Sequence, residues 1–156
     1  MFVGLWMTWS EREMISQTAE YALRAAVFLA EDAALPRTNV QIAEGTEVPV
    51  GYLAKVMQSL SRGGIVVAQR GPNGGFVLRL PANKLTVLEV INAVNPVQRF
   101  PECPLKLAHH GKNLCPLHRK LDDTAKLVEE SFGDTTIADL IDVPATRKPL
   151  CRFPLV

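Results

Sequence analysis

The chain has 156 residues, 47% apolar and 21% charged, with 17 Lys+Arg against 16 Asp+Glu and a net charge of +1. That length accommodates one ordinary domain with a small appendage, and the composition is that of a chain with a packed core. It excludes a disordered tail protein, a collagen-like fibre and a disulfide-dense secreted scaffold. No run reaches the ~18 uninterrupted apolar residues of a membrane span. Residues 1–9 (MFVGLWMTW) are apolar, but they lack a basic flank and run straight into Ser10-Glu11-Arg12-Glu13. This is not the layout of a signal peptide, and the expected location is the cytoplasm.

A first helix is expected over 16–31, capped by Ser16 or Thr18, with Tyr21, Ala25, Phe28 and Leu29 repeating at three and four residues on one face. A short helix follows over 39–44, ended by Gly45 through the left-handed conformation. Pro49 suits the first turn of a third helix over 49–62. Its apolar stripe is Leu53, Val56, Met57 and Leu60, and Gly63-Gly64 stops it. The period then changes. Two short strands, 65–68 and 76–80, flank the glycine-rich turn 70–75 and predict a hairpin.

Thr86 and Glu89 have capping-box spacing at the start of a fourth helix over 86–95. A loop rich in Pro, His and Lys spans 96–115. A longer helix over 116–132 carries Leu117, Leu121, Thr124, Leu127, Val128 and Phe132 on roughly one side. A last short helix is expected over 136–141, and the tail, 143–156, holds three prolines and is expected to be flexible. No internal repeat is present.

Charge is distributed unevenly along this order. From residue 48 to residue 84 there is no Asp or Glu, whereas Lys55, Arg62, Arg70, Arg79 and Lys84 supply five positive charges. An acid-free basic block in an otherwise neutral chain is the pattern of an anion-binding face, with nucleic acid the obvious large anion. Two short helices joined by a tight turn and followed by a hairpin give the order of a winged helix-turn-helix. The fold class expected is therefore mainly α with a small β-hairpin wing, plus a long C-terminal helix. The third helix would enter the major groove. With its stripe facing the core, Tyr52, Lys55, Gln58, Ser59 and Arg62 are left to donate to phosphates or base edges. In the wing, Arg70 can pair with phosphate or a narrow minor groove, and Gly71, Asn73 and Gly74 let backbone amides approach. A nucleotide-binding loop is the rival for this turn, but neither G-x-G-x-x-G nor G-x-x-x-x-G-K-[ST] occurs.

These residues carry a resemblance. Met14-Ile15-Ser16 with Ala19-Glu20-Tyr21-Ala22-Leu23-Arg24-Ala25, then Val50-Gly51-Tyr52-Leu53-Ala54-Lys55-Val56, resembles the Rrf-type (Rrf-two) transcriptional regulators, the family of IscR, NsrR and CymR. The most specific part is the R-G-x-x-G-G wing, Arg70 to Gly75, followed by V-x-E-V-I-x-A-V, Val87 to Val94. The likeness covers about 14–141. It divides the chain into an N-terminal extension (1–13), a DNA-binding domain (14–95), a Cys/His sensor loop (96–118), a dimerisation helix with the last short helix (116–142) and the tail. Residues 1–13 are either an upstream start-site extension or an arm. The resemblance implies a homodimer on palindromic double-stranded DNA. The residues agree, because the apolar face of the long helix has no second long helix in its own chain, and paired half-sites are the usual route to specificity.

Three cysteines occur, at 103, 115 and 151, and no disulfide framework is expected. Cluster-binding relatives place three cysteines in the sensor loop. Cys103 and Cys115 match the outer two and His118 matches a histidine ligand, while His109 stands where the middle cysteine would be. Glu20 falls where some relatives supply an acidic ligand from the partner's first helix. A two-iron two-sulfur cluster needs four protein ligands and tolerates imidazole or carboxylate among them. Cys103, Cys115, His109 and His118 would also satisfy the tetrahedral chemistry of a zinc ion, although the spacing is not that of a zinc finger. A thiol or disulfide switch and a loop without cofactor remain alternatives, and Cys151 is expected to be an unbonded thiol.

The function expected is a homodimeric DNA-binding transcriptional regulator, a repressor, sensing redox state, nitric oxide or iron–sulfur status through the Cys/His loop. No nucleophile–base pair, paired acid site or substrate-pocket signature is legible, so no enzyme is expected. The alternatives are a small iron–sulfur or metal-binding redox protein and a winged-helix adaptor for another protein.

Overall fold

A computed structural model of the chain describes residues 15–105 and 113–142. The expectations for the extension, the tail, His109, His110 and Cys151 fall outside the described residues. Chain order is α1 (Gln17–Glu31), α2 (Asn39–Thr46), α3 (Val50–Arg62), β1 (Val66–Gln69), β2 (Gly75–Leu78), α4 (Val87–Val94), α5 (Pro116–Gly133) and α6 (Ile137–Ile141). The protein is mostly helical with one two-stranded antiparallel hairpin.

Helix α1 is the central element and packs against α2, α3, α4, α6 and β2. Ser16 caps it, its Oγ accepting from the Ala19 N–H at 3.2 Å. Its buried face is built mainly from Ala19, Ala22, Ala25, Ala26 and Leu29, while Tyr21 and Phe28 are only half-buried. Small side chains on that face set short interaxial distances to the surrounding helices.

Helix α2 opens with a capping box that the sequence reading did not identify. The Gln41 N–H donates to Thr38 Oγ1 at 3.3 Å, and the Thr38 N–H donates to Gln41 Oε1 at 2.9 Å. The expected stop at Gly45 is corrected: the helix runs through it to Thr46, and Glu47 takes the left-handed conformation, with φ 54°. Gly45 is required for another reason. A Cβ there would fall into the Phe28 ring, 2.6 Å from Cζ.

Pro49 is the residue before α3 rather than part of its first turn. Leu53, Val56, Met57 and Leu60 are all buried, as the stripe predicts, each contributing ~1.5–3 kcal/mol relative to exposure. The helix ends in a Schellman arrangement. Gly64 has φ 70°, its N–H donates to the Ser61 carbonyl at 3.1 Å, and the Ile65 N–H donates to the Leu60 carbonyl at 2.9 Å. The hairpin follows at once, in register Val66↔Leu78 to Gln69↔Gly75. Its outer edge is not open throughout: Arg37 and Phe76 exchange backbone hydrogen bonds of 3.0 and 2.8 Å, tying the α1–α2 connection to the wing.

The capping box expected at Thr86–Glu89 starts α4, and a third box, Thr136–Asp139, starts α6. Hydrogen bonds from the Thr136 hydroxyl and backbone hold Asp139 below the usual carboxylate range. The two helix starts are joined by Val87 N–H to the Thr135 carbonyl and Ile137 N–H to the Leu85 carbonyl. Helix α5 touches α4, with Phe132 against the core, yet it buries no residue fully. Leu117 and Leu127 are 63% and 65% exposed. Among the described residues, no helix is long and apolar enough to cross a membrane.

Candidate nucleic-acid interface and thiol–imidazole cluster

With its apolar stripe turned inward, α3 presents Val50, Gly51, Tyr52, Ala54, Lys55 and Gln58 to solvent. No side chain caps its N-terminus, so the positive helix end stands open to an anion. Lys55, Gln58 and Arg62 are exposed, and Arg62 donates to the Ser59 hydroxyl at 3.3 Å. Tyr52 is not equally available. Its hydroxyl lies 2.6 Å from Thr18 Oγ1, and its ring meets Tyr21 edge-on at 5.4 Å. Tyr52 therefore fixes α3 against the start of α1 while one edge faces outward.

The wing tip turns through Gly71, with φ 122°, and the Gly74 N–H donates to the Gly71 carbonyl at 2.9 Å. A Cβ at Gly74 would sit 2.5 Å from the Gln69 carbonyl oxygen. Backbone geometry, not only access for a ligand, therefore demands glycine there. Arg70, Gly71 and Asn73 are exposed and Gly74 is half-buried. The α3 face and the wing tip thus belong to one continuous segment that carries no carboxylate. The cations of this segment can form charge-assisted hydrogen bonds to phosphate.

A second group of residues surrounds the start of α5. Arg99 clamps the loop after α4 to that helix. Its Nε donates to Asp122 Oδ1 at 2.7 Å, and its two Nη atoms donate to Asp122 Oδ2 at 2.8 Å and to Glu129 Oε2 at 2.7 Å. The Phe100 N–H adds a bond to Asp122 Oδ1 at 2.8 Å. The Arg99 guanidinium, then the Phe100 N–H, lower Asp122 from an ordinary 3.8 to about 2, and the same carboxylates push Arg99 up. Sequence reasoning missed this clamp, since nothing local links positions 23 and 30 residues apart.

The clamp places Phe100 against the His118 ring, centroids 5.3 Å apart. His118 Nδ1 lies 3.1 Å from Cys115 Sγ and 3.7 Å from Cys103 Sγ. All three donor atoms fall within 4.8 Å of one another, with Cys103 buried and the other two half-buried. Three of the sequence-predicted ligands are thus brought together, and neither of these cysteines is in a disulfide. With Zn–S ~2.3 Å and Zn–N ~2.1 Å, thiolate and imidazole on one tetrahedral ion stand ~3.5 Å apart, between the two distances seen. Two thiolates and an imidazole equally supply three of the four ligands of a two-iron two-sulfur cluster. The donor set fits either group, short of one ligand. Glu20 is not in this group. It accepts from Arg24 Nε at 2.9 Å, and Arg24 also donates to the Thr46 carbonyl at 3.2 Å.

Residues 15–143 match the sequence profile of the Rrf2 family, described as "Iron-dependent Transcriptional regulator". A protein of Aquifex aeolicus (strain VF5) named "Putative HTH-type transcriptional regulator" is 32% identical over 133 residues, covering 83% of this chain and 92% of its own. CymR (YrzC), the global cysteine regulator of B. subtilis, is similar in structure, with TM-score 0.66 and 24% identity over 82% of this chain and 95% of its own. IscR of T. potens is likewise similar, with TM-score 0.68 and 21% identity over 83% of this chain and 87% of its own. These likenesses identify the fold as the winged helix of such regulators. With a profile match across most of its length, the chain belongs to the Rrf2 family of transcriptional regulators, which are not enzymes.

Proposed function

We propose that this protein is a homodimeric DNA-binding repressor whose grip on a palindromic operator is set by the state of the Cys103–Cys115–His118 cluster. The carboxylate-free segment from α3 to the wing carries this reading. Lys55, Gln58 and Arg62 stand outward on α3 and Arg70 on the hairpin tip, the two elements that a winged helix lays on DNA. The apolar side of α5 supports two-fold assembly, with Leu117, Leu121 and Leu127 exposed along one helix. The working compartment is the cytoplasm, where the DNA is.

The cluster sits at the junction of the DNA-binding domain and α5, so its state can bias the spacing of two recognition helices. Those helices must lie about one DNA turn apart to reach both half-sites. Cys103, Cys115 and His118 would hold a two-iron two-sulfur cluster, which when bound makes the loop responsive to redox state or nitric oxide. His109 or the partner's Glu20 is the candidate fourth ligand. A single zinc ion is the second reading, favoured by the short sulfur–nitrogen distances.

Two measurements test the proposal. Fluorescence anisotropy with a palindromic and a scrambled duplex is expected to show tighter, salt-dependent binding to the palindrome, and equal weak binding to both overturns the DNA reading. Visible absorbance with iron, sulfide and zinc analysis of anaerobically purified protein is expected to give iron and sulfide in equal amounts. Stoichiometric zinc without iron selects the second reading, and protein devoid of both overturns the cluster.

A further inference from the structure

The outward side of α3 has two unlike halves. Lys55, Gln58 and Arg62, in its middle and later turns, carry long polar side chains. Its first turns expose Val50, Gly51 and Ala54, which have no side-chain donor or acceptor. Tyr52, also exposed there, has its hydroxyl against Thr18. Val50, Gly51 and Ala54 cannot read a base edge by side-chain hydrogen bonds, so their share of recognition is shape and apolar contact.

Two observations give that contact a chemistry. Gly51 lies inside α3 without a positive φ, and a Cβ built on it meets nothing within 4 Å. By contrast, Gly45 and Gly63 leave no room for a Cβ, and Gly64 and Gly71 take a positive φ. The fold thus makes no demand for glycine at position 51, where alanine would lower the entropy of the unfolded chain at no cost in packing. Glycine in such a place suits the close approach of a backbone to a ligand. Beside it, Val50 is 48% exposed. One exposed valine is ordinary, but this one stands four residues before Ala54. Their Cβ atoms are then ~5–6 Å apart, and a methyl carbon ~4 Å from each touches both. The apolar group that a base pair offers the major groove is the C5-methyl of thymine. Recognition helices meet base edges with their N-terminal residues.

We infer that α3 reads a thymine in each half-site through its C5-methyl, held by Val50 and Ala54, while Gly51 lets the helix backbone down against the base pair. Val50 and Gly51 are then specificity-determining residues, and Lys55, Gln58 and Arg62 are left for phosphates and polar base edges. This role rests on the DNA-binding reading proposed above and adds which base is selected and by what contact.

The probe is the inverted-repeat duplex that the intact protein selects from a randomised library. Each symmetric pair of its thymines is replaced in turn by deoxyuridine, which removes the methyl and keeps the base pairing. At one pair, binding followed by anisotropy is expected to weaken about fourfold per half-site, the worth of one buried CH₂, and about fifteenfold for both together. Val50→Ser is expected to lose that difference between thymine and uracil, and Val50→Ile to keep it. Gly51→Ala is expected to weaken both duplexes several-fold while Tm stays level or rises, which separates lost approach from lost fold. A duplex bound selectively but indifferent to uracil at every position, as when α3 meets only phosphate, refutes thymine readout and leaves the DNA-binding reading standing. The same holds for selected half-sites without thymine, for a uracil effect that persists in Val50→Ser, and for wild-type affinity in Gly51→Ala. Recovery of no motif overturns the DNA-binding reading, and thymine readout with it.

Discussion

Replacing Lys55 and Arg70 by alanine removes two cations that the fold holds outward on α3 and on the wing tip. Both lie in a segment with no carboxylate to compensate them. In a two-fold complex each substitution deletes two phosphate contacts, so the slope of log K against log salt falls by ~1.8 per site and ~3.6 for the pair. Over a fourfold rise in salt, from ~50 to ~200 mM, a slope lower by ~3.6 corresponds to ~10²-fold less salt-induced weakening than in the parent. Anisotropy titrations on one duplex across that range measure the slope directly. Gln58→Ala is the uncharged control. It is expected to leave the slope alone and relax preference at one base step by ~1–3 kcal/mol. An unchanged slope for the double variant would remove this surface from the DNA interface, because an exposed Lys and Arg that contact phosphate cannot be deleted without releasing fewer counterions.

Gly45→Ala gains ~0.5–1 kcal/mol of helix propensity but forces a methyl into the Phe28 ring at ~1–3 kcal/mol of overpacking. A net loss of ~1–2 kcal/mol lowers Tm by ~3–6 °C in a chain of this size, and a Phe28→Leu background restores it if the contact is the cause. For Asp122, the folded carboxyl titrates at about 2 instead of 3.8. Its contribution is therefore whole above 3.8 and is lost as pH falls toward about 2. Asp122→Asn is expected to narrow the Tm gap to wild type across that window, and a gap that is constant with pH contradicts the Arg99 clamp. His118→Ala removes one of three convergent donors and is expected to cut bound metal more than the ~10-fold loss typical of an outer-sphere partner. Elemental analysis at equal protein decides this, and full retention would show that the imidazole is no ligand.

Much of this architecture was legible because its signals are local. The Leu53–Val56–Met57–Leu60 stripe, the Thr86–Glu89 box and the glycine turn of the wing each depend on residues within one or two turns of each other. What escaped reading is long-range. The demand for glycine at position 45 comes from Phe28, and the left-handed Glu47 follows from how α2 hands over to α3. The Arg37–Phe76 bridge and the Arg99–Asp122–Glu129 clamp join segments with no shared pattern. At the site, the resemblance to cluster-binding relatives brought Cys103, Cys115 and His118 into consideration together. Tyr52 looked like another groove donor because its bond to Thr18 spans 34 positions.

The central claim is that two copies of the α3–wing surface read one two-fold symmetric sequence. Selection from a randomised duplex library with the intact protein tests it most directly. The account predicts enrichment of an inverted repeat whose half-sites are centred about one helical turn apart, lost when Lys55 and Arg70 are replaced together. Recovery of no motif, or of an asymmetric site indifferent to those substitutions, would contradict it.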